Sequence, residues 1–226
     1  MNAVGLGSQE QSTTSFEGVR VLEFELDNAA ITVSAAGDAV VVEKDVRTGL
    51  WGGSATEEQN GDVLRVRLDC PNLFGFGCRG TYDITVPADV VVNGDTANGA
   101  IELRGLSAES DVRTSNGAIR LQDLEGPATV RTSNGQIDGS GLASPSITAN
   151  TSNGPILLGF RTAPDRIEAR TSNGRVEIYV PDDSPVYAVD ANTSNGTVES
   201  ALRTDPAAAA RIDVTTSNGS IVIGYR

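Results

Sequence analysis

Histidine is absent from the 226 residues. That removes Ser-His and Cys-His nucleophilic arrangements and metal sites of the Cys/His type. Aromatic residues make up only 4%, with one Trp and one Met, so any core must be aliphatic and thin. No stretch is apolar enough to span a membrane as a helix. Positive charge is scarce: 17 Lys and Arg stand against 30 Asp and Glu, for a net charge of −13 and a pI near 4.4. Nucleic acid and anionic membrane surfaces, which need basic patches, are disfavoured as partners. Cysteine occurs twice, at Cys70 and Cys78, flanking Pro-Asn-Leu-Phe-Gly-Phe-Gly. A disulfide closing this short loop suits an exported protein, and two reduced thiols would suit a cytosolic one; the first reading is favoured. Met1 to Ser15 lacks a basic segment and a long apolar run, so it does not read as a signal peptide. Its Gly, Ser, Gln and Thr suggest a flexible tether over residues 1–15. If the protein is exported, its signal is not within this chain.

What the chain has in abundance is Thr-Ser-Asn-Gly. Six intact copies end at Gly117, Gly135, Gly154, Gly174, Gly196 and Gly219, and a variant, Thr96-Ala97-Asn98-Gly99, precedes them. The closing glycines lie 18, 18, 19, 20, 22 and 23 residues apart. A period of this size with a fixed turn signal marks a solenoid in which each repeat is one coil. Two residues before each intact Thr stands Val112, Val130, Ala149, Ala169, Ala191 or Val214, and two after each Gly stands Ile101, Ile119, Ile137, Ile156, Val176, Val198 or Ile221. Leu103, Leu121, Leu158, Ile178 and Ile223 follow two further on, with Gly139 and Ser200 as exceptions. This is strand alternation with one face buried.

The parity slips by one at Asn-Gly. The usual reading is a hairpin. A corner between two strands of one coil is preferred, because identical residues recur at identical coil positions and can stack as ladders. Asn and Gly both tolerate positive φ, which would allow the shift. Asn98, Asn116, Asn134, Asn153, Asn173, Asn195 and Asn218 should then form a structural turn ladder, bonding to the coil above and to local backbone. Outward positions fall into two stripes: Arg113, Arg131, Asn150, Arg170, Asn192, Thr215; and Glu102, Arg120, Asp138, Leu157, Glu177, Glu199, Val222. Mixed charge of this kind is the ordinary composition of a solvated face, and a ligand groove is the competing reading.

The predicted fold is therefore all-β: a parallel β-helix or β-solenoid of about seven coils over residues 90–226, preceded by an irregular β portion over 16–89 that acts as a cap. Open solenoid ends need caps. Helix is expected nowhere, save for a turn at Pro206–Arg211. After Ile221 and Ile223 the chain reaches Arg226 with no cap visible. An uncovered last strand predicts a homodimer or partner contact through the C-terminal coil.

The early strand pairs, the segment Tyr82-Asp83-Ile84-Thr85-Val86-Pro87 and the repeated Thr-Ser-Asn-Gly-x-Ile-x-Leu together resemble the bacterial putative-adhesin family, a domain of unknown function, over residues 18–226. The resemblance implies a parallel β-helix-like fold and a cell-surface or periplasmic location. It carries over no catalytic motif. The Trp51 loop and the Cys70–Cys78 loop have no place in the family pattern.

Two carboxylates would suffice for a glycosidase, and Asp138, Glu177 and Glu199 share a stripe, so a carbohydrate-active enzyme on a β-helix is the alternative. A stripe of acids is more often solvated charge, and no cleft is legible. The Gly-Gly-x-Gly-x-Asp calcium turn is missing, and the repeated Thr points inward, against an ice-binding lattice. No metal or cofactor is expected. The reading preferred is a non-enzymatic envelope or secreted adhesin-like protein that binds a surface polymer or a partner protein. Its candidate contacts lie off the regular coils, at Trp51 in Trp51-Gly52-Gly53 and at Leu73, Phe74 and Phe76 between the cysteines. The same aromatics could instead fold down and plug a solenoid end.

Overall fold

The computed structural model describes residues 8–48, 52–71 and 77–226. Its first strands are β1 (Ser8–Phe16), β2 (Val21–Leu26), β3 (Ala29–Ala35), β4 (Val40–Thr48), β5 (Ser54–Asn60), β6 (Val63–Asp69) and β7 (Arg79–Val86). The repeats supply β8 (Val91–Asn98), β9 (Ile101–Arg104), β10 (Ser110–Asn116), β11 (Ile119–Gln122), β12 (Ala128–Asn134), β13 (Ile137–Leu142), β14 (Ser146–Asn153) and β15 (Ile156–Phe160). They continue with β16 (Arg166–Asn173), β17 (Val176–Val180), β18 (Tyr187–Asn195), β19 (Val198–Ser200), β20 (Ala210–Asn218) and β21 (Ile221–Tyr225). Successive repeats pair in parallel, with Thr114 beside Thr132 and Asn116 beside Asn134. The Asn-Gly sites are thus corners and not hairpins. Two sheets result: A, in the order β1-β4-β7-β3-β9-β11-β13-β15-β17-β21-β19, and B, in the order β18-β20-β16-β14-β12-β10-β8-β2-β6-β5. One aliphatic core lies between them.

Each corner is built from the repeat itself. Thr is buried in the inner coils, and its hydroxyl donates to the glycine carbonyl of the neighbouring coil: Thr114 to Gly99, Thr132 to Gly117, Thr151 to Gly135 and Thr171 to Gly154, each at 3.0 Å. Ser points out, and Asn stacks in the column beside it. Asparagine φ is never positive there, since Asp123 is the sole non-glycine with positive φ among the described residues. Glycine is required for a different reason from the one expected. A Cβ on Gly117 would strike the carbonyl of Gly99, and one on Gly135 would strike that of Gly117. The backbones approach too closely for any side chain. At Gly139, an inward gap in the Leu row, Leu142 takes the space.

The early strands join the same two sheets. β2 and β3 form a coil whose corner, Asn28-Ala29, stacks on Asn98-Gly99, and β6 with β7 forms the next. The end is closed by strands of reversed direction: β5 on β6, β4 on β7, and β1 on β4. Phe24 of β2 fills the slot left by Gly94 of β8, where a Cβ would overlap its ring.

The other end departs from the sequence reading. β20 lies between β16 and β18, and β21 lies between β17 and β19. The last coil in sequence is therefore internal, with Ile221 and Ile223 fully buried, and the end of the stack is the coil of residues 187–200. The expected bare edge at the C-terminal coil is corrected accordingly. The hydrophobic effect accounts for the exchange. The inserted coil faces inward with Ile212, Val214, Ile221 and Ile223, whereas the end coil offers Val189, Ala191, Val198 and Ser200. The more apolar coil takes the covered position. The two longest glycine spacings, 22 and 23, supply the chain needed to skip a level and return.

Candidate binding surfaces

Among the sequence-predicted residues, the seven repeat asparagines are brought together in one column. Asn98, Asn116, Asn134, Asn153 and Asn173 each donate from Nδ2 to the Oδ1 of the preceding corner at 2.8–2.9 Å, starting from Asn28. Asn218 then donates to Asn173, and Asn195 to Asn218. The ladder is exposed along its length, so it orders the corner at the water interface. Asn28 was not legible as a member because Ala29 replaces its glycine.

Cys70 and Cys78 are bonded, with Cα atoms 5.2 Å apart. The Cys70 amide donates to Asp27 Oδ2 at 2.7 Å, which ties this loop to the corner of the adjoining coil. Gly53 sits against Cys78 Sγ, 3.1 Å from where its Cβ would be. The bases of the two loops named as contacts thus meet at one corner. Trp51, Leu73, Phe74 and Phe76 themselves lie outside the described residues.

On the outer face of sheet B, beside the Asn column, a shallow depression of about 310 Å³ spans three coils. Arg113, Arg131 and Asn150 form one row of it, and Ser115, Ser133 and Ser152 the next. Arg113 and Arg131 stand directly opposite one another on β10 and β12. Like charges so placed are destabilising. Arg131 reaches Asp111 at 3.3 Å, whereas Arg113 has no ion pair among the described residues. The row therefore presents guanidinium donors and hydroxyls at one coil spacing, about 4.8 Å.

At the closed end, Lys44 of β4 points inward, 3% exposed in its side chain, with Nζ 2.9 Å from Glu10 of β1 and 3.0 Å from Glu57 of β5. Burial alone would lower its pKa; the hydrogen bonds and charges of the two carboxylates more than offset this and raise it. The Tyr82 hydroxyl is buried close by with no partner. Burial first, and then the charges of Glu57 and Glu10, push its pKa well up. This charged plug was missed because Lys44 reads as an ordinary surface residue in Val-Val-Val-Glu-Lys-Asp-Val.

The repeat region matches the Toastrack DUF4097 family model over residues 89–224. The chain belongs to this family. Among solved structures it is similar to a putative adhesin from Bacteroides fragilis NCTC 9343, at 12% identity and a TM-score of 0.59, covering 97% of this chain and 98% of that one. It is also similar to a putative lipid binding protein from Parabacteroides distasonis ATCC 8503, at 11% identity and a TM-score of 0.50, with 96% of each chain covered. At these identities the likeness is one of fold. No curated protein matches the chain in sequence. This Toastrack chain thus shares its fold with these two proteins, and its own surfaces must carry any reading of function.

Proposed function

We propose that the protein is a non-enzymatic, exported, adhesin-like component of a bacterial cell envelope, and that it holds an anionic surface polymer across the outer face of sheet B. The observation that carries this is the facing pair Arg113 and Arg131. Two cations are opposed there; Arg131 reaches Asp111, and Arg113, which has Asp95 of β8 on its other side, makes no ion pair among the described residues. A carboxylate or phosphodiester lying between them would relieve the repulsion and accept bidentate hydrogen bonds from each guanidinium. The flanking serines and Asn150 would bond to neutral hydroxyls of the same polymer. Coil spacing is close to the length of one sugar unit, so successive coils can read successive units. The overall charge of −13 opposes approach at long range, but physiological salt screens it beyond about 8 Å. The Cys70–Cys78 disulfide supports an oxidising compartment. Trp51, Leu73, Phe74 and Phe76 are proposed as a second contact, for a partner protein, at the disulfide corner.

Binding to polygalacturonate and to uncharged dextran of equal length tests this by calorimetry. The anionic polymer should bind, salt should weaken it, and Arg113→Glu with Arg131→Glu should abolish it. Equal affinity for dextran, or binding indifferent to the double substitution, would refute the reading.

A further inference from the structure

The two ends of the stack are finished differently. At the closed end, the edge strands β1 and β5 run in the reversed direction and are polar along almost their whole length, the usual protection against strand addition. At the other end, β19 pairs only with β21 among the described residues. Strand β18 pairs with β20 along its length and, at Tyr187 alone, with Thr204 on its outer edge, where the Tyr187 amide donates to the Arg203 carbonyl and the Asp205 amide to the Tyr187 carbonyl. Beyond Tyr187 the outer edges of β18 and β19 are free, in both sheets, at one level. Val189, Ala191, Thr193, Val198 and Ser200 point toward the core there, and none is charged. The exposed large hydrophobic residues among those described are Val186 at 39% and Val198 at 43%, and both belong to this end. Residues 203–205 cover the start of β18 at Tyr187, and the edge from Val189 to Thr193 is left open to an added strand.

We infer that this end is an interface with a second copy of the same chain, joined about a two-fold axis with β18 antiparallel to its equivalent. The strand is self-complementary. With Ala191 opposite Ala191 of the second copy, Val189 meets Thr193 and Asp190 meets Asn192, so no like charges are opposed. The Asn192 amide already donates to Asp190 within one strand at 2.5 Å, and the same partners would meet across the axis. Sliding the register so that Asp190 faces Asp190 would oppose like charges, which is unfavourable. A head-to-tail union would instead bring this end, with Asp190 and Glu199, against the exposed Glu58 of β5, acid against acid. The two-fold arrangement is closed and stops at two copies. One coil end is small: nine residues of strand by one sheet separation, roughly 30 by 10 Å. Such an area gives a weak, reversible dimer. The inference stands on the strand edges and is independent of polymer binding on sheet B.

The described cysteines are bonded to each other and leave no free thiol among the described residues, so a single introduced cysteine reports on the interface. Ala191→Cys should form a covalent dimer under mild oxidation, faster than Thr13→Cys placed on β1 at the closed end. Sedimentation of the unaltered chain from micromolar to millimolar concentration should show monomer and dimer only. Val189→Lys with Val198→Lys should weaken the dimer at least about tenfold, with circular dichroism unchanged. A chain that stays monomeric throughout overturns the inference. So does an open series of trimers and longer species, or crosslinking of the Ala191→Cys variant no faster than that of the Thr13→Cys variant.

Discussion

The buried threonines of the inner coils should carry more of the corner's stability than the half-exposed threonine of the end coil, and Thr132→Val measures this. The Thr132 hydroxyl, in a residue 6% exposed, donates to the Gly117 carbonyl at 3.0 Å. Valine keeps the shape and deletes the donor. A carbonyl left unpaired in a buried position costs about 1–3 kcal/mol, and a methyl in place of the hydroxyl returns up to about 0.8 kcal/mol. The net loss expected is about 1–2 kcal/mol. Thr193→Val is the internal comparison. It deletes the same bond, to Gly219 at 2.9 Å, but in the end coil, where the residue is half-exposed and water can replace the hydroxyl. Its loss should be about 0.5 kcal/mol or less. Urea unfolding followed by circular dichroism gives both values from the shift in midpoint at constant slope. If the two substitutions cost the same, or if Thr132→Val is neutral, the Thr–Gly bonds are incidental to the stack.

Tyr82→Phe removes a hydroxyl that is buried without a partner, and should raise stability at neutral pH by about 0.5–1.5 kcal/mol. The folded-state pKa of Tyr82 is raised, so its contribution is fully present below the unfolded pKa of about 10 and is lost as pH climbs above it. An alkaline unfolding titration should therefore show the unaltered chain losing about 1.4 kcal/mol per pH unit more than the variant above that point; identical alkaline profiles would contradict the assignment. Opening the Cys70–Cys78 bond, by reductant or by the double change to Ser, should lower stability by about 2–3 kcal/mol, and an unmoved urea midpoint would count against a stabilising bond.

Periodicity made the coils legible because each strand buries one face and every corner repeats the same three contacts. Asn28 escaped notice because Ala29 follows it, although the Ala29 carbonyl accepts from Thr96 as the glycine carbonyls do elsewhere. The inserted coil escaped for a different reason. Period and parity say which residues face inward, but not which coil stacks on which, since any coil's ladder fits any other's. Only burial strength orders them, and Ser200 at an inward position marked the weak coil. The Lys44 plug depends on Glu10 and Glu57 arriving from two reversed strands, a meeting that no local pattern encodes. The facing arginines were visible as a stripe; that Arg113 makes no ion pair among the described residues, although Asp95 stands opposite it on β8, depends on side-chain reach and not on spacing.

The inserted coil has a mechanical consequence. A strand at the end of a stack can be peeled away one bond at a time. β21 cannot, because it is laced to β17 along Val176–Val180 and to β19 along Val198–Ser200. The Arg226 amide is itself bonded to the Val180 carbonyl at 2.9 Å, and the Tyr225 hydroxyl accepts from the Arg203 amide at 3.0 Å. Tension applied at residue 226 along the strand must shear two ladders together, so the fold resists a pull there as a clasp does, by gripping from both sides.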